Sequence, residues 1–119
     1  MKKTLILGAT PDTNRYAYLA AERLQSHGHE FIPVGRKKGS VLGKTIINDR
    51  PIVGNVDTVT LYINPQNQID EYQYILSLKP KRVIFNPGTE NEELEEILQK
   101  NGIEVEIGCT LVMLSVGTF

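Results

Sequence analysis

The chain has 119 residues, 40% of them hydrophobic and 23% charged, and its net charge is −1. This length makes one domain, and a charge so close to zero gives no overall attraction to nucleic acid or to an anionic membrane, so we expect neither as a partner. No apolar run approaches the ~20 residues that cross a bilayer, a single Cys109 excludes an internal disulfide, and only two histidines make a metal site improbable, so we expect one cytoplasmic domain over residues 1–119.

Strand patterns and helix patterns alternate along the chain. Short apolar or β-branched runs predict five strands, and apolar residues spaced by three and four predict three helices between them. The predicted strands cover 4–9, 31–35, 56–63, 82–85 and 103–107, and the predicted helices cover 15–26, 66–78 and 90–100. A long polar loop follows the second strand, with a brief extended piece at "KTII", and the apolar tail from Cys109 is expected to pack back onto the domain.

Alternation with short connections implies parallel strands joined by right-handed crossovers. We therefore predict an α/β fold, a Rossmann-like three-layer α/β/α domain with a five-stranded parallel sheet in the order 3-2-1-4-5. Ligands of such sheets bind beyond the carboxyl ends of the strands, where the strand order reverses.

The stretch "LILGATPDTNR" ends the first strand and leads directly into a helix. Unpaired amides and the positive end of the helix dipole favour an anion at such a place. We expect the amides between Gly8 and Arg15 to be free for it, aided by Thr10, Thr13 and Asn14 and by the charge of Arg15. The alternative is that Thr13 or Asn14 only caps the helix.

Three cations, Arg36, Lys37 and Lys38, follow the second strand. An NAD-binding domain places an acidic residue there to bind the ribose hydroxyls, whereas cations suit a phosphorylated ribose, as in NADP or coenzyme A. The alternative is a solvated basic loop. These residues alone do not separate coenzyme A from NADP.

The remaining polar groups give no catalytic pattern. Pro65 and Pro87 each follow an asparagine at the same edge, where they either wall a flat ligand or form ordinary turns. Cys109 has no histidine placed to activate it. Five glutamates look like paired carboxylates but are better interpreted as the exposed face of a helix: Glu90, Glu92, Glu93, Glu95 and Glu96. We expect no catalytic residue and favour binding over catalysis.

Five segments together resemble the small CoA-binding-domain proteins, which are stand-alone relatives of the N-terminal CoA-binding domain of the succinyl-CoA synthetase alpha subunit. The segments are "LILGATPDTNR", "FIPVGRKKGSVLG", "VDTVTLYINP", "NPGTENEELEEILQKNGIEV" and "CTLVML", and they cover about Leu5 to Leu114. The resemblance implies non-catalytic binding of coenzyme A or an acyl-CoA. The synthetase's catalytic phosphohistidine lies in a second domain with no counterpart here, so ligase chemistry is not implied.

The resemblance also implies roles for individual positions. The turn "GATP" matches the family's G-A-S-P turn at the pyrophosphate, and the segment after the second strand, usually "NP" in the family, is "GR" here. The implied contacts are Gly8, Ala9, Thr10, Pro11, Asn14 and Arg15 for the pyrophosphate; Gly35, Arg36, Lys37 and Lys38 for the phosphorylated ribose; Ile63, Asn64 and Pro65 for the adenine or pantetheine; and Asn86, Pro87 and Gly88 for the thiol end.

Three interpretations stay open from the sequence. The first is a protein that binds coenzyme A, and the second is a small enzyme that uses NADP or another nucleotide. The third is a protein with a vestigial cleft that works by forming a homo-oligomer through its apolar tail. A protein partner belongs to the first interpretation, in which the domain is a sensor or a module for that partner.

Overall fold

The computed structural model describes all of residues 1–119. No helix in it combines the length and the apolar character needed to cross a membrane. In chain order the elements are β1 (Thr4–Leu7), α1 (Tyr16–Ser26), β2 (Phe31–Val34), β3 (Ser40–Val41), β4 (Lys44–Thr45), β5 (Thr58–Leu61), α2 (Pro65–Gln68), a 3₁₀ turn (Ile69–Glu71), α3 (Tyr72–Leu78), β6 (Arg82–Phe85), α4 (Glu92–Lys100), β7 (Glu104–Ile107) and α5 (Thr110–Val116).

Five of the strands form one parallel sheet in the order β2-β1-β5-β6-β7, and β3 and β4 form a separate antiparallel pair. The predicted α/β class and the five-stranded parallel sheet are therefore confirmed. The strands of the sheet are four residues long and pair without offset, so that Leu7 lies between Val34 and Leu61. The carboxyl ends of β2, β1, β5 and β6 consequently lie side by side at one edge.

When the short segment at Ile47 is counted as the third strand, the observed order is 3-2-1-4-5-6, which contains the predicted pattern 3-2-1-4-5. Ile47 pairs in parallel with Val34 on the side of β2 that faces away from β1. Residues 56–63 were predicted to occupy that outer position, but the strand they form, β5, lies next to β1 instead. All four β5 residues are buried, and such a strand needs a neighbour on both sides, whereas the edge suits a short, partly exposed segment.

Helices cover both faces of the sheet. On one face, Ile75 of α3 and Leu94 of α4 belong to a core cluster of 14 buried residues. On the other face, Leu24 of α1 and Leu114 of α5 belong to a cluster of 9. The three-layer arrangement is therefore confirmed, and so is the packing of the apolar tail onto the domain, because the tail forms α5 against α1.

The helix predicted over 66–78 is divided into α2, the 3₁₀ turn and α3. Pro65 occupies the first turn of α2, and the side chain of Asn64 caps it by accepting a hydrogen bond from the Asn67 amide at 2.9 Å. This cap starts the helix close to the end of β5, so the division brings Asn67 and Glu71 toward the carboxyl edge of the sheet.

Candidate functional site

A cavity of about 370 Å³ opens at the carboxyl edge of the sheet. The loops after β1, β2, β5 and β6 form its walls together with the first turn of α1. The chain goes from β1 to one side, into β2, and later returns to the other side as β5, so the strand order reverses beside this cavity. Its position is the one that ligands take in open α/β sheets, and its volume is at the lower end of the ~300–1,000 Å³ usual for small-molecule sites.

Most of the site residues expected from the sequence line this cavity. They are Gly8, Ala9, Thr10, Arg15, Gly35, Arg36, Lys37, Ile63, Asn64, Pro87 and Gly88. The expected residues outside its lining are Pro11, Asn14, Lys38, Pro65 and Asn86. The structure therefore brings together the central part of each predicted loop.

Asn86 lies outside the cavity because its side chain is used within the fold. Its Nδ2 donates to Thr60 Oγ1 at 2.7 Å and to the Leu61 carbonyl at 2.8 Å, while its Oδ1 accepts from the Thr110 amide at 2.9 Å. It is 2% exposed. Asn86 thus connects β6 with β5 and with the start of α5.

The expectation that the amides between Gly8 and Arg15 are free is wrong for most of this loop. The Gly8 and Ala9 amides both donate to the Val34 carbonyl, at 2.9 and 3.1 Å. The amides of residues 12, 14 and 15 donate to oxygen atoms of Thr10 or Asp12. The loop is therefore held by β2 and by its own oxygen atoms.

Between Gly8 and Ala17, the amides that have no acceptor within the chain are those of Thr10, Thr13, Tyr16 and Ala17. Three of these residues line the cavity, and Thr13 does not. The cap position of α1 is taken by Arg15, whose side chain makes no capping bond, so the alternative that Thr13 or Asn14 caps the helix is also wrong. Two of the open amides, those of Tyr16 and Ala17, are consequently at the first turn of α1, which is where the helix dipole favours an anion.

Two glycines let the loops of the cavity approach each other: Gly8 lies against the loop after β5, and Gly35 lies against the loop after β1. Gly8 has a φ of +102°, and a Cβ there would lie 2.8 Å from the Tyr62 carbonyl oxygen. A Cβ on Gly35 would lie 3.0 Å from the Ala9 carbonyl oxygen. A side chain at either position would meet backbone atoms, so the loop after β1 lies at backbone distance from the loops on both sides of it.

The charges around the cavity are mainly positive. Arg15, Arg36, Lys37 and Arg50 line it together with one carboxylate, that of Glu71, which leaves an excess of three positive charges in a chain of net charge −1. Arg36 forms only an exposed ion pair, with 3.7 Å between its Nη2 and Asp70 Oδ2. Such pairs are weak, so the charge of Arg36 stays free to attract an anion.

Arg50 and Glu71 were not expected at the site. Arg50 Nε and Nη2 donate to the two carboxylate oxygens of Glu71 at 2.7 and 2.8 Å. Its hydrogen bond to Glu71 raises the pKa of the Arg50 guanidinium. Glu71 is only 4% exposed. No local pattern marks either residue, because they lie 21 positions apart and meet only in the folded chain.

The other lining residues absent from the expected set are Leu7, Tyr16, Ala17, Tyr62, Asn67 and Thr89. Tyr62 has a buried hydroxyl, and burial raises its pKa to about 12. Strand alternation signals it, because it follows Thr60 by two residues and shares that residue's face of the sheet. Its phenol stays neutral at physiological pH and adds no negative charge to the cavity.

Fold and site together define a class, a Rossmann-like α/β domain with a positively charged cavity at the carboxyl edge of its sheet. The chain belongs to the CoA binding domain family, whose family model matches residues 2–115. No curated protein matches it.

Three solved structures resemble the chain over nearly its whole length. The crystal structure of an uncharacterized protein is 86% identical, with a TM-score of 1.00, and the match covers 100% of this chain and 98% of the other. A hypothetical protein from Pyrococcus horikoshii OT3 is 24% identical, with a TM-score of 0.88 and coverage of 97% and 82%. The cell-free ID.343 protein from Thermus thermophilus is 23% identical, with a TM-score of 0.83 and coverage of 99% and 90%. The last two show the same fold.

Proposed function

We propose that the protein binds coenzyme A or an acyl-CoA in this cavity and does so without catalysing a reaction. The single observation that carries the proposal is the excess of three positive charges around a cavity at the carboxyl edge of the sheet, in a member of the CoA binding domain family. Coenzyme A is strongly anionic, and a local positive excess attracts it although the whole chain is slightly negative.

The diphosphate would lie against the loop after β1 and the first turn of α1. Thr10, Tyr16 and Ala17, whose amides have no acceptor within the chain, line the cavity there, and Arg15 adds a positive charge. Amide hydrogen bonds to a phosphate are charge-assisted and stronger than neutral ones. The proposed diphosphate site therefore extends from Thr10, within "GATP", to the first helical turn of α1.

The remaining parts of the ligand would follow the order of the strands. Arg36 and Lys37, after β2, would bind the phosphorylated ribose. Ile63 and Asn64, after β5, would contact the adenine or the pantetheine, and the loop at Pro87, after β6, would border the thiol end. Because these strands are neighbours in the sheet, one extended ligand can reach all of the loops.

Calorimetric titration with coenzyme A, acetyl-CoA, NADPH and NAD tests the proposal. We expect coenzyme A and acetyl-CoA to bind more tightly than NADPH, and NAD to bind most weakly because it has no phosphate on its ribose. Preferential binding of NADPH, with turnover of simple carbonyl compounds, would support the second interpretation, a small NADP-dependent enzyme. Binding of NAD alone would overturn the proposal.

Lys37 and Lys38 provide a matched pair of variants for the same titration. Both side chains are exposed, but only Lys37 lines the cavity. We expect Lys37→Gln to weaken binding of coenzyme A about five-fold, which corresponds to roughly 1 kcal/mol, and Lys38→Gln to change it less than two-fold. Equal effects of the two changes would mean that the loop acts only through its total charge.

A further inference from the structure

The guanidinium of Arg50 is held in one orientation by four hydrogen bonds. Besides its two bonds to Glu71, its Nη1 donates to the carbonyls of Asn48 and Asp49 at 2.8 and 3.1 Å. A guanidinium has five N–H groups, so one of them, on Nη2, is left without an acceptor. Arg50 also lines the cavity. It therefore offers one hydrogen-bond donor at that wall, on a guanidinium whose charge is balanced by Glu71.

Glu71 keeps Arg50 in this orientation in the free protein. The side chain of Glu71 is 6% exposed and that of Arg50 is 27% exposed. A buried carboxylate that lost its partner would be left uncompensated, and this cost holds the pair together. The Arg36 side chain, by contrast, is 60% exposed, so it loses conformational entropy when a ligand fixes it. Arg50 loses less, because Glu71 already holds it in the free protein.

Arg50 lies at the same end of the cavity as the two cations that follow β2. Asn48 makes the connection, because its side chain donates to the carbonyls of Gly35 and Lys37, at 2.9 Å each, while its own carbonyl accepts from Arg50. The positive groups of the cavity thus form two sets. One consists of Arg15 with the first turn of α1, and the other consists of the cations after β2 together with Arg50.

Coenzyme A has two separate anionic parts, a diphosphate and a 3′-phosphate, and dephospho-CoA has only the first. We propose that Arg50 contacts the 3′-phosphate and, with Glu71 as its positioning residue, makes the protein prefer coenzyme A to dephospho-CoA. This inference rests on the proposed function, since it assigns one part of the ligand to one residue of the same cavity.

Calorimetric dissociation constants for coenzyme A and dephospho-CoA test the assignment. We expect Arg50→Gln to weaken coenzyme A about ten-fold and dephospho-CoA less than two-fold, because only the first loses a charge-assisted hydrogen bond. Arg23→Gln removes an exposed arginine from the last turn of α1, outside the cavity, and should change neither constant. An equal loss for both ligands, or no loss, would overturn the assignment.

The Glu71→Gln variant shows whether Glu71 acts by positioning Arg50 or only through its own negative charge. Removing the carboxylate makes the cavity more positive, so a pure charge effect would tighten both ligands and favour coenzyme A further. If Glu71 positions Arg50, the ratio of the two affinities falls several-fold while dephospho-CoA binds as well as before or better. A ratio that is unchanged or higher would overturn the positioning role.

Two further measurements keep the result interpretable. Arg50→Gln in combination with Glu71→Gln leaves no buried unpaired carboxylate, and we expect it to fold, to bind dephospho-CoA and to show the same lost preference as Arg50→Gln alone. Retained preference in this double variant would overturn the assignment. If the unaltered protein binds neither ligand, the proposed function itself fails; if it binds both but the variants keep the preference, only the role of Arg50 fails.

Discussion

At the scale of single residues, Gly8 is the position where a side chain is least tolerable. It combines a φ of +102° with a Cβ position 2.8 Å from the Tyr62 carbonyl oxygen. Gly28 has a comparable φ of +81° but no atom within 4 Å of its Cβ position. A side chain at Gly28 would therefore cause only backbone strain, whereas a side chain at Gly8 would also clash with a neighbouring loop.

We expect Gly8→Ala to lower the free energy of unfolding by about 2–3 kcal/mol and Gly28→Ala by about 1 kcal/mol. The larger effect at Gly8 arises because the clash is with backbone, which cannot rotate away as a side chain can. Urea denaturation followed by circular dichroism measures both values. Equal losses would show that the loop after β1 moves aside at little cost.

At the scale of secondary-structure elements, Asn86 joins three of them. Its side chain bonds Thr60 and Leu61 of β5 and the first amide of α5. The resemblance to the CoA-binding-domain proteins placed it at the thiol end of the ligand, but its hydrogen bonds give it a structural role as well. Asn86 is 2% exposed and makes all three of these hydrogen bonds. It therefore stabilises the strand ends whose loops form the cavity.

Asn86→Ala should lower the free energy of unfolding by about 2–3 kcal/mol, because it leaves the buried Thr110 amide without an acceptor and removes the bonds to the Thr60 hydroxyl and the Leu61 carbonyl. Asn101→Ala is the matched control, since that side chain makes one exposed bond, to the Ile97 carbonyl, and should cost less than 1 kcal/mol. Chemical denaturation of the two variants provides the comparison. A loss at Asn86 as small as that at Asn101 would contradict the structural role.

The elements of the fold could be predicted from the sequence because each has a local signal. Apolar runs mark the strands, and the alternation of strands and helices implies the parallel sheet. The place of residues 56–63 within the sheet was harder to predict, since a β-branched run indicates a buried strand but does not indicate which strands flank it. The break in the helix over 66–78 was also missed, because its apolar spacing continues through the 3₁₀ turn.

The candidate site was predictable only where it follows directly from the strand ends. The loops after the strands gave eleven of the lining residues, from Gly8 to Gly88. Arg50 and Glu71 were missed because charged residues in polar segments look solvent-exposed until the fold brings them together. The use of the Gly8 and Ala9 amides was missed for a similar reason, since their acceptor, the Val34 carbonyl, belongs to another strand.

At the scale of the whole molecule, the edge of the sheet opposite the cavity joins the two ends of the described chain. His29 Nδ1 accepts a hydrogen bond from the Lys2 amide at 2.8 Å, and its ring lies 5.0 Å from that of Phe119. The guanidinium of Arg82 lies 4.5 Å from the centre of the same Phe119 ring. Burial first, and then nearby positive charges including Lys2 and Arg82, lower the pKa of His29.

This lowered pKa makes stability depend on pH in a defined direction. His29 stays neutral in the folded chain at pH values where the unfolded chain, with a histidine pKa near 6.5, already binds a proton. The unfolded state then binds more protons, so the contribution of His29 to stability is complete above pH 6.5 and is lost as the pH falls toward the folded pKa.

We expect the free energy of unfolding, measured in urea, to decrease between pH 7.5 and pH 5.5. His29→Gln should flatten this decrease and His27→Gln, which removes an exposed histidine, should retain it; the same slope in both variants would assign the pH dependence to other groups.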